Sequence, residues 1–272
     1  MLSGMMSPGG FVVLAIAASW ACWLPAAYGG EWFQAQRDWL LPLGWFAPLI
    51  ALLIQLARPS CVDARRTLLS RYSEPRRLLS LAGALSVLVP GAVAALSIAT
   101  YAWLGGIILP TLPAADFAPV FLAALLLNGL PEEIAWRGHA LPLALARWDA
   151  LTAAVLVGLA WNIWQLPLFA LSGTVQWAIE IGSAEHFLYA TQGMAESLVL
   201  CALYRMSGSA WTALAYRAVT CFAGELWQLP LGAELHRALW TIAAAVLVLA
   251  RPAAFSMEGE AQRRSPQGST PG

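Results

Sequence analysis

The sequence is poor in charge: charged side chains make up 11% of its 272 residues, whereas a soluble globular domain has about 25%. Lysine is absent, so all 15 basic residues are arginines, and 15 acidic residues balance them. Without an excess of positive charge there is no electrostatic basis for binding nucleic acid, and that class of partner is excluded. Because 60% of the residues are hydrophobic, the composition indicates a protein that sits in a lipid bilayer.

Cysteine is also scarce, and its spacing is uninformative. The four cysteines lack a C-x-x-C pair; Cys22, Cys201 and Cys221 lie in apolar runs, and Cys61 lies outside them. We expect small buried hydrophobic residues here, not disulfide partners. Histidine and acidic residues show no H-E-x-x-H or comparable spacing, so neither a metal ion nor another cofactor is expected.

Long apolar runs fill most of the chain. A bilayer core is crossed by roughly 20 apolar residues of helix, and eight segments have about that length: 11–29, 39–57, 79–104, 117–136, 151–172, 188–206, 209–228 and 233–250. No basic stretch precedes the first run, so we expect a retained helix there, with a cleaved signal peptide as the alternative. The sequence therefore predicts an all-α bundle of about eight transmembrane helices, forming a single membrane-embedded domain over residues 1–250.

Arginine is distributed unevenly between the predicted connectors. Six of the 15 basic residues lie in the connector 58–78, and the connectors expected on the opposite side together hold only Arg37. Because positive residues concentrate on the cytoplasmic side, both termini are predicted to be cytoplasmic, in a bacterial-type inner membrane. The tail 251–272 is polar and rich in Pro, Gly and Ser, and we expect it to be disordered.

Ionisable residues interrupt the fourth apolar run at Glu132, Glu133 and Arg137. Burying one such group in a bilayer costs about 3 kcal/mol or more, so these residues are expected to face protein or a water-filled cavity and to mark function. Glu133 and Arg137 are four residues apart on one helix face, and Pro131 suits the first turn of a helix. Two interpretations stay open: a structural ion pair, or a site in which Glu132 activates water as a general base.

The same segment resembles the CAAX protease and bacteriocin-processing family, a group of glutamate-dependent intramembrane endopeptidases. The family's first motif, Glu-Glu-x-x-x-Arg, reads Glu132-Glu133-Ile-Ala-Trp-Arg137 here, and Trp164-Gln-Leu-Pro-Leu-Phe169 resembles its Trp-His-Leu-Pro-Leu-Phe. The likeness is specific over residues 117–222. It implies that the three motif residues are catalytic and that the ligand is a membrane-embedded or lipidated peptide or protein.

The second motif departs from the family pattern. Its water-activating histidine is replaced by Gln165, and Trp161 holds the aromatic position four residues earlier. Glutamine can hold a water by hydrogen bonding but cannot exchange a proton near neutral pH. The family comparison requires Gln165 to meet Glu132, which by the predicted boundaries lies at a different depth.

The third motif, His-x-x-x-Asn or His-x-x-x-Asp, also lacks its histidine. One register places it on Arg217 and Cys221, and another places it on Tyr216 and Thr220. In the first register, Arg217 could pair with Glu132 and stabilise negative charge, but a permanent cation cannot transfer protons.

Three further residues are candidates for supporting roles: Asn128 just before the cluster, Glu225 in the seventh apolar run, and His139 two helical turns after Glu132. His139 could supply an imidazole, with a loop or interface histidine as the alternative. We thus predict a diverged family member that binds a membrane peptide or partner protein with impaired or absent proteolysis. The alternative is an active endopeptidase with substituted motifs.

Overall fold

The computed structural model describes residues 7–105, 113–226, 232–250 and 255. Within them the chain is helical and contains no strand, which confirms the all-α prediction. Ten helices are numbered here in chain order: α1 Pro8–Tyr28, α2 Glu31–Ala35, α3 Arg37–Leu56, α4 Val62–Ser70, α5 Leu81–Trp103, α6 Phe117–Leu145, α7 Ala150–Gln165, α8 Ala184–Ser207, α9 Trp211–Leu226 and α10 Gly232–Ala250.

Five of these helices are long and apolar enough to cross a bilayer. They are α1, α3, α5, α6, and α7 together with the 3₁₀ turn that extends it to Ala170. Helices also occupy the last three predicted segments: α8 carries several charges, α9 has 16 residues, and the apolar part of α10 is only Leu235–Ala250. The protein is an integral multi-pass membrane protein, and the count of eight spans stays a prediction.

Short polar residues start the helices as capping chemistry requires. Four helices begin with a side chain that accepts a hydrogen bond from a backbone N–H of the first turn: α1 with Ser7, α5 with Ser80, α7 with Asp149 and α8 with Ser183. Gly208 ends α8 with φ +63°, a left-handed conformation that glycine adopts without steric cost. These caps mark the starts of four helices and the end of α8.

The helix that carries the ionisable cluster is longer than the predicted segment 117–136. It continues to Leu145 and contains two π turns, Ala124–Gly129 and Trp136–Ala140. Pro131 follows the first π turn and does not start a helix; a wide turn gives room where a proline ring would otherwise meet the preceding carbonyl. The predicted connector 137–150 is therefore wrong: Arg137 is buried inside a helix, and only 146–149 join α6 to α7.

Apolar side chains form two clusters. One joins α1, α3, α4, α6 and α7 with Cys201 and Ala202 of α8, and the other joins α5, α8, α9 and α10. Phe255, the one described residue of the predicted tail 251–272, is buried in the first cluster, and the rest of that prediction lies outside the described residues. The ionisable residues of α6 lie where the two clusters meet.

Two connectors lie together at one end of the bundle, beside the second π turn of α6. Arg71 donates to the carbonyl of Gly138 and accepts from the amide of Ala210, and Arg77 donates to the carbonyl of Ser207. The arginine-rich connector after α3 is thus at the same end as the α8–α9 turn, as the predicted topology requires.

Candidate functional site

The first motif of the sequence lies near the middle of α6, completely inside the protein. Glu132 is 4% exposed, Glu133 0% and Arg137 1%. The predicted ion pair is present: Arg137 Nη1 donates to Glu133 Oε1 at 3.0 Å. Because α6 is continuous here, successive glutamates point in different directions, and Glu132 is left for partners on other helices.

Arg217 of α9 connects the glutamates. Its Nη2 donates to Glu132 Oε2 at 2.9 Å, its Nη1 lies 3.5 Å from Glu196 Oε2, and its Nε lies 4.0 Å from Glu133 Oε1. One guanidinium therefore neutralises carboxylates from two helices, α6 and α8. Such pairing is what a cation at membrane depth needs to be tolerated.

Trp161 of α7 lies between the two cations. Its ring centroid is 5.1 Å from the guanidinium carbon of Arg137 and 4.8 Å from that of Arg217. Its indole N–H donates to Glu132 Oε2 at 3.2 Å. The indole thus offers its face to the cations and its N–H to the carboxylate, which fixes the position of all three groups.

Gln165, one turn after Trp161, belongs to a different polar group. Its carbonyl oxygen accepts from Gln176 Nε2 at 2.9 Å and from the Tyr189 hydroxyl. Among the hydrogen bonds of the described residues, none joins Gln165 to Glu132. The expectation that these two side chains meet is therefore not fulfilled by direct contact, because Trp161 occupies the place beside Glu132.

The residues of the two registers of the third motif lie in different surroundings. Arg217 faces the glutamates, and Cys221 follows one turn later, half-buried. Tyr216 instead packs against Trp240 at 5.5 Å in the second apolar cluster. Thr220 donates to backbone carbonyls of its own helix. The register that brings charge to the site is Arg217 and Cys221.

The supporting candidates are only partly described. His139 is buried, its ring packs edge-on against Phe11 of α1 at 4.7 Å, and no hydrogen bond among the described residues joins it to the glutamates. The loop alternative does not fit it, because the second π turn of α6 carries it into the core. The side chains of Asn128 and Glu225 lie outside what the structure describes.

Sequence reasoning missed four residues around the site: Gln176, Tyr189, Gln192 and Glu196. Glu196 is 3% exposed and accepts from Gln192 Nε2 at 2.7 Å. Its presence inside an apolar segment was a usable signal, since any carboxylate at membrane depth is a functional candidate. The other three are neutral, and no sequence pattern distinguished them.

The cluster contains three carboxylates and two guanidiniums within one buried volume. Within the described residues, no group of His, Cys, Asp and Glu is arranged to hold a metal ion. Arg217 occupies the place between the carboxylates where a cation would be bound. Chemically, the site offers fixed positive charge and hydrogen-bond donors, with no imidazole beside Glu132 in this part of the chain.

Comparison with known proteins finds similarity in this region. A family model described as type II CAAX prenyl endopeptidase Rce1-like matches residues 114–223. A protein named CAAX prenyl protease 2 from Methanococcus maripaludis is 35% identical over 83 residues, which cover 30% of this chain and 29% of that protein. The residues that the family model matches include α6 and end within α9, and so contain the carboxylates and both guanidiniums of the cluster.

Proposed function

Because this chain belongs to the CAAX protease and bacteriocin-processing family, we propose that it is a diverged member that binds a membrane-embedded or lipidated peptide without hydrolysing it efficiently. The observation that carries the proposal is the contact of Arg217 Nη2 with Glu132 Oε2 at 2.9 Å. A permanent cation lies against the carboxylate that would have to activate water.

Hydrolysis needs a group that accepts a proton from water and gives it to the leaving amine. Arginine keeps its charge at physiological pH, and the amide of Gln165 does not exchange protons there. Each positioned acid–base partner typically contributes 10²–10⁴-fold to the rate. Losing two of them predicts a cleavage rate lower by about 10⁴-fold or more.

Peptide binding is supported by the polar groups that the cluster offers at membrane depth. A peptide backbone in lipid must find partners for all its N–H and C=O groups. The side chain of Arg217 keeps 15% exposure, so a ligand reaches it before the fully buried Glu133 and Arg137. Its guanidinium can donate to a peptide carbonyl or to a terminal carboxylate. The relative's name, CAAX prenyl protease 2, gives the ligand class to test first.

The proposal includes the orientation in a bacterial-type inner membrane, with both termini in the cytoplasm. The arginines of the connector 58–78 support it, because two of them contact the α8–α9 turn and the second π turn of α6. The test introduces single cysteines at the exposed positions Arg66 and Trp177, in a background without the four native cysteines. Intact cells are then treated with a membrane-impermeant thiol reagent. Labelling at position 66 would contradict this orientation.

The test of function follows binding and cleavage separately. A fluorescent prenylated peptide with a CAAX-type C-terminus is added to the detergent-purified protein, binding is measured by anisotropy, and products are measured by mass spectrometry. We expect saturable binding with no product for the wild type. The double variant Gln165→His with Arg217→His restores two imidazoles, and we expect it to produce measurable cleavage.

Two controls make the result decisive. Adding Glu132→Ala to the double variant should remove the new cleavage, and Arg147→Gln, an exposed change at the connector end, should leave binding unchanged. Melting temperatures of all variants show which are folded. Wild-type cleavage that Glu132→Ala abolishes would overturn the proposal in favour of an active endopeptidase, and absence of binding would exclude this ligand class.

A further inference from the structure

A polar cavity lies at the end of the bundle opposite to the arginine-rich connector, and none of the glutamates of the cluster lines it. It has a volume of about 240 Å³ and is bounded by the C-terminal end of α1, the N-terminal end of α3 and the segment that follows α7. A water molecule in the liquid occupies roughly 30 Å³, so the cavity has room for a larger polar group. Its walls include Gln34, Arg37, Ser172 and Trp177.

The position of the cavity corresponds to a membrane–water boundary. Three helices that can cross a bilayer reach this level: α1 ends at Tyr28, α3 begins at Arg37, and the α7 segment ends at Ala170. Large aromatic side chains at the same end are exposed on the protein surface: Tyr28 at 73%, Trp32 at 68%, Trp39 at 76% and Trp177 at 54%. Exposed Trp and Tyr collect at the level of lipid headgroups.

Arg37 is the cation of this cavity. Its Nη1 donates to Ser172 Oγ, and none of the ion pairs among the described residues includes it. Gly173 has φ +85°, and a Cβ there would lie 2.8 Å from Arg37 Nη2, so the guanidinium lies directly against the backbone of this loop. The loop conformation therefore holds the cation in place without neutralising its charge.

We propose that this cavity binds the phosphodiester group of an anionic membrane phospholipid through Arg37. A guanidinium presents paired N–H donors that match phosphate oxygens, and the hydroxyl of Ser172 and the amide of Gln34 add polar groups to the cavity wall. The missing carboxylate partner favours a ligand with net negative charge over a zwitterionic one. The aromatic side chains flank the place where the glycerol backbone of that lipid enters. The inference is independent of whether the glutamate cluster binds or cleaves peptides.

The experiment measures thermal unfolding of the full chain in a neutral detergent, with added phosphatidylglycerol, phosphatidylcholine or inorganic phosphate. At a lipid concentration of about 100 times Kd, we expect phosphatidylglycerol to raise the wild-type Tm by roughly 5 °C more than phosphatidylcholine does. Arg37→Gln should lose this difference. Arg147→Gln, which removes an exposed arginine at the opposite end, is the matched control and should keep it.

Ser172→Ala is a second variant that retains the charge of Arg37. We expect it to weaken the preference for phosphatidylglycerol without removing it. An equal phosphatidylglycerol shift in Arg37→Gln and the wild type would overturn the proposal, and so would equal shifts from the two lipids in the wild type. A shift from inorganic phosphate as large as that from phosphatidylglycerol would identify a free-anion site and overturn the lipid as the ligand.

Discussion

Replacing Arg217 by methionine is the sharpest test of the idea that the buried charges form one network. The substitution keeps an unbranched chain of similar length and removes only the guanidinium. Three carboxylates then share one cation, Arg137, which already pairs with Glu133 at 3.0 Å. Glu132 loses its partner at 2.9 Å, and Glu196 loses its partner at 3.5 Å.

The expected cost follows from the burial of the partners. Removing one member of a buried ion pair typically destabilises a protein by about 3–5 kcal/mol, because the other charge stays buried without compensation. Here Glu132 and Glu196 are 4% and 3% exposed, and both are left uncompensated. Loss of the cation–π contact with Trp161 adds about 1–2 kcal/mol. Arg217→Met is thus expected to lie at or above the upper end of that range.

The assay is reversible unfolding in mixed detergent micelles, with the free energy extrapolated to zero denaturing detergent. Arg147→Met serves as the control, since Arg147 is exposed on the short α6–α7 connector, and it should cost less than about 0.5 kcal/mol. The triple variant Arg217→Met, Glu132→Gln and Glu196→Gln removes the cation together with the charges it neutralises. It should recover most of the loss, because replacing a whole buried ionic group by neutral residues is often close to neutral.

Two results would refute this reasoning. A cost for Arg217→Met no greater than that of Arg147→Met would mean that water or lipid headgroups, and not Arg217, compensate the carboxylates. Failure of the triple variant to recover stability would mean that Arg217 acts through packing and not through charge.

Two further predictions concern the scaffold. A Cβ on Gly44 would lie 2.1 Å from Nε1 of the fully buried Trp23, so Gly44→Ala should lower the free energy of unfolding by about 1–3 kcal/mol. Gly91→Ala is the control and should not lower it, because no atom lies within 4 Å of a Cβ at Gly91. The pKa of Asp149 lies below its usual range because the side-chain hydroxyl and backbone N–H of Thr152 donate to it. The pKa of Asp149 is lower in the folded state than in the unfolded state, so its stabilisation is present above about pH 4 and is lost as the pH falls further. Asp149→Ala should therefore lower the free energy of unfolding by about 1 kcal/mol at pH 7. An equal cost at pH 3 would contradict this.

Most of the fold could be predicted from the sequence because its strongest signal is apolar length. Helices occur at each of the eight predicted segments, and polar caps such as Asp149 and Ser183 mark their starts. The end of α6 could not be predicted, because Arg137 and His139 look like the polar edge of a membrane segment. In the structure both are buried, since partners from other helices receive them. Sequence hydropathy does not contain that information.

The site was predicted in its parts but not in its connections. Spacing along one helix predicted the pair of Glu133 and Arg137, and the family motif pointed to Arg217. Which α6 carboxylate meets which partner depends on how α6, α7 and α9 rotate against each other, and no local pattern specifies that. Trp161 therefore took the place beside Glu132 that the comparison had assigned to Gln165.

The two π turns of α6 determine where this helix tolerates a change in length. A π turn closes its hydrogen bonds over five residues where an α turn uses four, so deleting one residue after Arg137, within 138–140, can be absorbed by a return to α spacing. A deletion within Leu130–Ala135 has no such reserve and would rotate one part of the helix against the other by about 100°. Insertions and deletions in related chains should therefore accumulate in the turns on either side of the glutamates, while the number of residues from Glu132 to Arg137 stays fixed.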